Sequence, residues 1–199
     1  MSRVLLASRN AKKLAELRRI VAPALPEVEV LGLDDVSAYE EVPETGATFA
    51  DNALLKAREG FAHTGLPTVA DDSGLTVEAL NGMPGVLSAR WSGRHGDDLA
   101  NLDLVLAQLS DTPEERLGAA FVCAVAFVDA RGEVVVDGRM DGRLIRAPRG
   151  QNGFGYDPIF VPAGLELTSA ELDSSHKDEI SHRGNALRAL VPHLLDRLR

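Results

Sequence analysis

The chain of 199 residues carries 21 Lys and Arg against 30 Asp and Glu, which gives a formal charge of −9. This length suits one domain with a sizeable core, and 45% hydrophobic with 26% charged residues excludes a disordered or fibrous protein. Because binding to nucleic acid or to an anionic membrane depends on excess Lys and Arg, the composition argues against both partners. The chain shows neither an apolar run long enough to span a membrane nor a signal-peptide pattern, so we expect a cytoplasmic protein.

The negative charge is concentrated in one stretch. No basic residue occurs between Arg19 and Lys56, whereas eight carboxylates fall there. A solvated acidic face is the usual meaning of such a run. Alternatively, one or two of these carboxylates hold a divalent cation. The chain has only four lysines against 17 arginines, and these lysines are Lys12, Lys13, Lys56 and Lys177.

Strand and helix patterns alternate in the first half of the chain, and a hairpin follows. The predicted strands cover 4–7, 28–31, 68–70, 119–129, 133–140 and 159–161, and the third of them runs into Asp71-Asp72-Ser73-Gly74. The predicted helices begin after Asn10, run from Thr48 to about His63, begin at a cap by Asp97 or Asp98, and cover about 181–198. This order predicts an α/β fold, with a central mixed sheet flanked by helices. We expect one domain over residues 1–199, with two lobes around a cleft.

A polar turn between the first predicted strand and helix can bind an anion. Its residues are Ser8, Arg9, Asn10, Ala11, Lys12 and Lys13. The backbone N–H groups and the dipole at a helix start favour an anion, and Asn10 and Lys13 can reach its oxygens. Asn52 and Lys56 are four residues apart on the second predicted helix and could both meet a ligand. An exposed lysine on an amphipathic helix is the simpler interpretation of that segment taken alone.

Asp71 and Asp72 are adjacent carboxylates at the end of an apolar strand. They cannot both be buried without a cation or hydrogen bonds. Because side chains alternate along a strand, one Asp should face the cleft and the other its support. A carboxylate there could bind Mg²⁺ or deprotonate a water, although an ordinary Asp-rich turn has the same composition.

A glycine-rich loop over residues 150–157 is the next candidate site. It is not a dinucleotide fingerprint, because Pro158 stands where the helix should begin. Phe154 and Tyr156 suit a loop that lays an aromatic ring against a base, with Asp157 accepting from a ring N–H. The alternative is a turn that packs two aromatics into the core. Further donors near a helix start are Lys177, His182 and Arg183.

Six motifs in this order resemble the inosine triphosphate pyrophosphatase family. They are Ser8-Arg-Asn-Ala-Lys-Lys13, Thr48-Phe49-x-x-Asn52-Ala53-x-x-Lys56-Ala57, Ala70-Asp-Asp-Ser-Gly-Leu75, Pro84-Gly85-Val86-x-Ser88-Ala89-Arg90, Gly153-Phe-Gly-Tyr-Asp-Pro158 and Ile180-Ser-His-Arg183. The resemblance covers nearly the whole chain. It implies hydrolysis of ITP, dITP and XTP to the nucleoside monophosphate and pyrophosphate. It also implies Mg²⁺ dependence, a homodimer and a nucleotide-binding cleft between two lobes.

The resemblance further implies roles for single residues. The triphosphate would lie near residues 8–13, supported by Lys56. Asp72 would accept a proton and bind the metal, and Ser73 would contact the substrate. Glu44 is the expected second metal ligand, with Glu41 as a weaker candidate because Pro43 stands where relatives often have an acidic residue. The base-binding set would be Phe154, Gly155, Tyr156, Asp157, Lys177, His182 and Arg183.

The implied chemistry is attack of a water on the α-phosphorus, positioned by Asp72 or by Asp71. Lys13 and Lys56 would match the charge of the leaving pyrophosphate. Donors aimed at O6 of hypoxanthine or xanthine would be left unpaired by adenine. Two other readings stay open, a pyrimidine-specific pyrophosphatase of the Maf-like kind and a nucleotide-binding protein without catalysis.

Overall fold

The computed structural model describes residues 2–40 and 42–198. Six strands form one sheet in the order β2-β1-β3-β4-β5-β6. The strands are β1 (Arg3–Leu6), β2 (Glu29–Leu31), β3 (Thr68–Val77), β4 (Gly118–Asp129), β5 (Gly132–Leu144) and β6 (Phe160–Pro162). Strand β1 is parallel to both β2 and β3, whereas β5 and β6 are antiparallel. The predicted α/β fold with a mixed sheet is therefore confirmed.

Five α-helices accompany the sheet in the described part of the chain. They are α1 (Ala11–Val21), α2 (Phe49–Thr64), α3 (Asp98–Gln108), α4 (Ser174–Ile180) and α5 (His182–Leu198). No helix among the described residues is long and apolar enough to cross a membrane. The helix predicted over about 181–198 is found as α5, and the short helix α4, which was not predicted, precedes it and is separated from it by the extended backbone of Ser181. Lys177 therefore lies on a different helix from Arg183.

The described residues divide into two compact units. The first unit contains Met1–Asp72, Cys123–Gly138 and Arg183–Arg199, and the second contains Ser73–Val122 and Arg139–His182. Each unit has its own apolar core. Large buried side chains of the first core are Leu17, Val21, Leu25, Phe127, Leu190 and Leu194. Those of the second core are Leu75, Val77, Leu109, Met140, Ile159 and Phe160. A single domain over the whole chain stays a prediction.

Helix starts in the first unit are fixed by the residues that the sequence indicates. The side chain of Asn10 accepts hydrogen bonds from the backbone N–H groups of Lys12 and Lys13, at 3.0 and 3.4 Å. Thr48 caps α2 and exchanges hydrogen bonds with Asp51 in a capping box. Both caps satisfy N–H groups that a helix start leaves without partners. The starts of α1 and α2 are thereby held in place.

Strand β3 carries the carboxylate pair. The sequence predicts a strand up to Ala70 that runs into the two Asp residues, and the structure continues the strand through them to Val77. Asp71 and Asp72 are both buried. A regular strand therefore fixes the backbone on either side of each carboxylate, which a flexible Asp-rich turn would not do. This excludes the turn interpretation.

Candidate active site

Asp71 accepts from two cations in the first unit. The Nζ atom of Lys13 lies 2.7 Å from its Oδ2 atom, and Nε of Arg183 donates to the same oxygen at 3.1 Å. Burial alone would raise the pKa of Asp71, but the charges of Lys13 and Arg183 outweigh burial and hold this pKa well below its ordinary value. Asp71 therefore stays ionised. Arg183 also lies 3.8 Å from the carboxylate of Glu16.

Asp72, the next residue of β3, is bound by Asn52 of helix α2. Its Oδ2 atom accepts a hydrogen bond from Nδ2 of Asn52 at 2.8 Å. Asn52 is fully buried, and its Oδ1 atom accepts from the backbone N–H of Gly46 at 2.7 Å. The carboxamide thus joins strand β3 to the loop before α2. The sequence raised Asn52 as a ligand contact, whereas the structure uses its side chain inside the protein.

Glu44 and Lys56 form an ion pair of 2.6 Å, with both side chains partly buried. Glu44 belongs to the loop that Asn52 binds through Gly46. A Cβ atom on Gly46 would lie 2.5 Å from Cβ of Asp51, so only glycine allows this loop to approach the start of α2 so closely. This close approach places Glu44 of the loop beside Lys56 of α2.

Glu44 and Asp72, the two expected metal ligands, both belong to the first unit. Glu41 lies outside the described residues. Among the residues described, no group of three or more His, Cys, Asp or Glu side chains is arranged to hold a metal. Mg²⁺ is usually bound by one or two carboxylates, with phosphate oxygens and waters completing its shell. The chemistry of these two carboxylates fits an ion of that kind, held together with a phosphorylated substrate.

The turn of residues 8–13 lies at the start of α1. The side-chain oxygen of Asn10 caps that helix, and Oγ of Ser8 accepts from the backbone N–H of Asn10 at 3.2 Å. Arg9 lies 3.8 Å from the carboxylate of Asp34, and Lys12 is exposed. Within this turn, Lys13 contacts Asp71. The binding of a phosphate by the other residues stays a prediction.

The second unit contains the glycine-rich loop. Phe154 is 58% exposed, whereas Tyr156 is buried and its hydroxyl donates to the carbonyl of Ser88 at 2.8 Å. The backbone N–H of Phe154 donates to Oδ2 of Asp157 at 2.8 Å. The same oxygen lies 2.5 Å from Nζ of Lys177, which stands 5.5 Å from the centre of the Phe154 ring. One aromatic therefore anchors the loop, and the other is presented to solvent beside a cation.

Asp98 is a further contact of this loop that the sequence did not single out as functional. Its Oδ2 atom accepts from the backbone N–H of Gly155 at 2.8 Å. Burial raises the pKa of Tyr156, and the charge of Asp98 raises it further. The neighbouring Asp97 caps α3 by accepting from the N–H of Ala100. One Asp is enough to cap a helix, so the second Asp of the pair was the feature of the sequence that could have indicated a further role for Asp98.

The remaining expected substrate contacts are divided between the two units. His182 belongs to the second unit, where its ring stacks on Phe121 with centroids 5.1 Å apart. Arg183, the next residue, belongs to the first unit and donates to Asp71. Ser73 begins the part of β3 that belongs to the second unit. The roles of all three toward a base or substrate stay predictions.

The model of the Ham1 family matches residues 4–193 of this sequence. The chain belongs to the Ham1 family. This bears out the family that the six motifs indicate.

Similar proteins extend the match to nearly the whole length of the chain. A protein of Mycobacteroides abscessus named dITP/XTP pyrophosphatase is 66% identical over 194 residues, which cover 96% of this chain and 94% of that protein. One of Nocardia farcinica with the same name is 64% identical, covering 98% of this chain and 95% of the relative. The solved structure of a HAM1 protein from Coxiella burnetii matches with a TM-score of 0.91 at 40% identity, covering 98% of this chain and all of that one.

Proposed function

We propose that this chain hydrolyses the non-standard purine nucleoside triphosphates ITP, dITP and XTP to the nucleoside monophosphate and pyrophosphate. The observation that carries the proposal is the 66% identity, over nearly the full length, to a protein named dITP/XTP pyrophosphatase. The site supports the same reaction, since buried carboxylates and fixed lysines are the groups that phosphate-anhydride hydrolysis requires. The chain is accordingly an enzyme, a hydrolase that acts on acid anhydrides.

Binding of the triphosphate is assigned to the start of α1 and to Lys56. The residues concerned are Ser8, Arg9, Asn10, Ala11, Lys12, Lys13 and Lys56. Lys13 and Lys56 are each held by a carboxylate, Asp71 and Glu44 respectively. Such pairing fixes the position of each ammonium group and lowers the entropy that phosphate binding would otherwise cost. Ser73 is assigned a further contact to the substrate.

The bond that breaks joins the α-phosphorus to the oxygen bridging it to the β-phosphorus. A water oxygen attacks the α-phosphorus, and Asp72 accepts the proton that this water loses. Pyrophosphate leaves with the bridging oxygen, and Lys13 and Lys56 stabilise its negative charge. Asp71 is a poor base for this step, because two buried cations hold its pKa low.

A divalent cation belongs to this proposal, and Mg²⁺ suits the available ligands. Glu44 and Asp72 would hold the ion, which supplies neutralisation of the phosphate charge when it is bound. Both carboxylates are fixed by hydrogen bonds or an ion pair within the first unit.

Recognition of the base is assigned to the loop of the second unit. The loop residues are Phe154, Gly155, Tyr156 and Asp157, and Lys177, His182 and Arg183 on the last two helices are assigned with them. The exposed ring of Phe154 provides a surface for stacking, and Asp157 holds the ammonium group of Lys177 beside it. A donor aimed at O6 finds an acceptor in hypoxanthine and xanthine, whereas adenine presents an amino group there. Missing a partner in such a site can cost a factor of roughly 10⁴.

We also infer a homodimer that acts in the cytoplasm, without nucleic acid or membrane as a partner. The resemblance of the six motifs supports the dimer. The formal charge of −9 supports the absence of a polyanionic surface as partner. Sedimentation of the purified protein tests the dimer directly.

The test of the function is pyrophosphate release with Mg²⁺ from seven triphosphates: ITP, dITP, XTP, GTP, ATP, UTP and dTTP. We expect turnover of the first three, and rates on ATP lower by roughly 10³-fold or more, because adenine lacks the O6 acceptor. Preference for UTP or dTTP would support a Maf-like pyrophosphatase instead. Tight binding of ITP without turnover would support a non-catalytic nucleotide-binding protein.

A further inference from the structure

We propose that Asn52 is a positioning residue, whose carboxamide fixes the Asp72 carboxylate and the 44–46 loop in the geometry that the reaction needs. The inference rests on the proposed function, because it concerns the group that accepts the proton of the attacking water. Asn52 itself is placed in contact with neither substrate nor metal. It acts through Asp72 and through the loop that carries Glu44.

Both ends of the Asn52 amide are used by the protein. Oδ1 accepts from the backbone N–H of Gly46 at 2.7 Å, and Nδ2 donates to Oδ2 of Asp72 at 2.8 Å. A backbone N–H can only donate, so it requires the oxygen of the amide on its side. The nitrogen must then face the carboxylate of Asp72. The orientation of the amide is fixed by its two partners.

Burial makes these two hydrogen bonds costly to replace. Asn52 is fully buried, and Asp72 is also buried. Water does not reach the amide, so a lost donor leaves the carboxylate oxygen without that hydrogen bond. A buried carboxylate with fewer hydrogen bonds is held less firmly in one rotamer. Asn52 therefore limits the motion of Asp72 as well as stabilising it.

Helix α2 makes this support rigid and links it to the predicted metal ligand. Ala53 and Ala57 on α2 are fully buried, and Thr48 caps its start. Lys56 follows Asn52 by four residues, so both lie on one face of the helix. Lys56 binds Glu44, while Asn52 binds Gly46 and Asp72. One helical face thus holds both carboxylates that the proposed reaction uses.

Asn101 on helix α3 offers a matched control. It is also buried, and its Oδ1 atom accepts from a loop N–H, that of Ser92, at 2.7 Å. Its Nδ2 atom makes no hydrogen bond with the described residues. The two asparagines therefore share burial, a helical position and support of a loop. They differ in their Nδ2 atoms, because that of Asn52 donates to a carboxylate and that of Asn101 does not.

The test compares Asn52→Asp, Asn52→Ala and Asn101→Asp in steady-state hydrolysis of ITP with Mg²⁺. Asn52→Asp keeps the size of the side chain and the acceptor for Gly46, but it replaces the donor to Asp72 by an oxygen. We expect kcat to fall by about 10²-fold or more while KM stays within about threefold. Asn52→Ala should fall similarly. Asn101→Asp should keep kcat within about threefold of the wild type.

Thermal melting by circular dichroism accompanies each assay, so that kcat is counted per folded molecule. If Asn52→Asp does not fold, the test depends on Asn52→Ala, for which kcat should fall while KM stays nearly unchanged. A kcat for Asn52→Asp within about threefold of the wild type, with Asn52→Ala impaired, would show that Asn52 only supports the loop, and it would overturn the proposal. A wild-type protein that hydrolyses none of the nucleotides would instead overturn the proposed function and the inference with it.

Discussion

The carboxylates of the first unit and the aromatic loop of the second are held in contrasting ways. In the first unit, Asp71 and Asp72 lie on a continuous strand, and their partners come from helices. In the second unit, Phe154 lies on a loop that two carboxylates hold. The backbone N–H of Phe154 donates to Asp157, and that of Gly155 donates to Asp98. The first arrangement fixes charges through buried ion pairs. The second leaves a large apolar side chain exposed.

The contrast corresponds to the two tasks of the proposed enzyme. Attack at phosphorus depends on groups placed to within a fraction of an ångström, which regular elements achieve better than loops. Stacking on a base tolerates small displacements, because a flat ring offers a wide contact. Substitutions in the first unit should therefore have larger effects than those in the second.

The largest effect is expected for Asp72→Asn. An amide cannot accept the proton of the attacking water, so turnover of ITP should fall by about 10³-fold. The variant should still fold, because its side-chain oxygen can accept the hydrogen bond that Asn52 donates. Pyrophosphate release together with thermal melting checks both parts. Turnover near the wild-type rate would remove Asp72 from its assigned role.

Asp71→Asn should mainly reduce stability. It removes the carboxylate that Lys13 and Arg183 share, and breaking a buried pair costs about 3–5 kcal/mol of unfolding free energy. The pKa of Asp71 is lower in the folded protein than in the unfolded chain. The ion pairs of Asp71 therefore contribute fully to the free energy of unfolding above the unfolded pKa of about 3.9. This contribution is lost as the pH falls from there through the folded pKa.

Urea unfolding of the wild type and of Asp71→Asn between about pH 5 and pH 2 checks this dependence. The free energy of unfolding should fall more steeply with decreasing pH in the wild type, because the variant lacks one carboxylate that must be protonated. Equal slopes would mean that the ion pairs of Asp71 contribute little to the stability of the first unit.

Phe154→Ala comes next in size. Loss of a stacking ring costs about 1–3 kcal/mol, so KM for ITP should rise roughly 5- to 150-fold with little change in stability. Leu167→Ala is a suitable control, because Leu167 is also an exposed apolar residue of the second unit, at 49%. Steady-state kinetics of both variants distinguishes stacking from a general effect of surface truncation. An unchanged KM for Phe154→Ala would assign the base to another surface.

The smallest effect is expected for Asp98→Ala, which removes one of the hydrogen bonds that hold the loop. KM for ITP should rise by roughly fivefold, the equivalent of one hydrogen bond of about 1 kcal/mol. The neighbouring Asp97→Ala removes a helix cap instead, so it should lower the melting temperature and leave KM unchanged. If the two variants behave alike, Asp98 has no special part in holding the loop.

Local patterns in the sequence predicted much of the site. The apolar strand before Asp71 and Asp72 predicts that a regular element carries the pair, and β3 does so. The helix starts after Asn10 and at Thr48 also follow from neighbouring residues. Each of these inferences needs only a few consecutive residues, because strand patterns and capping are local properties of the chain.

Partners distant in sequence could not be predicted in this way. Asp71 and Arg183 are 112 residues apart, and Gly155 and Asp98 are 57 apart. Such contacts depend on how the elements pack, which a single sequence does not specify residue by residue. The buried role of Asn52 was missed for a related reason. Helical spacing placed it on one face with Lys56, but it did not tell which structure that face contacts.

The pairing of lysines with carboxylates also bears on chemical labelling. Three of the four lysines, Lys13, Lys56 and Lys177, have side chains only 18–20% exposed, and each lies within 2.7 Å of a carboxylate oxygen. An amine-directed reagent needs an accessible amine, and an ammonium group that is mostly buried against a carboxylate offers little access. Lys12 is the exposed one of the four. A fluorophore or surface tether added in limiting amount would therefore select Lys12 among the lysines, beside the turn assigned to the phosphates.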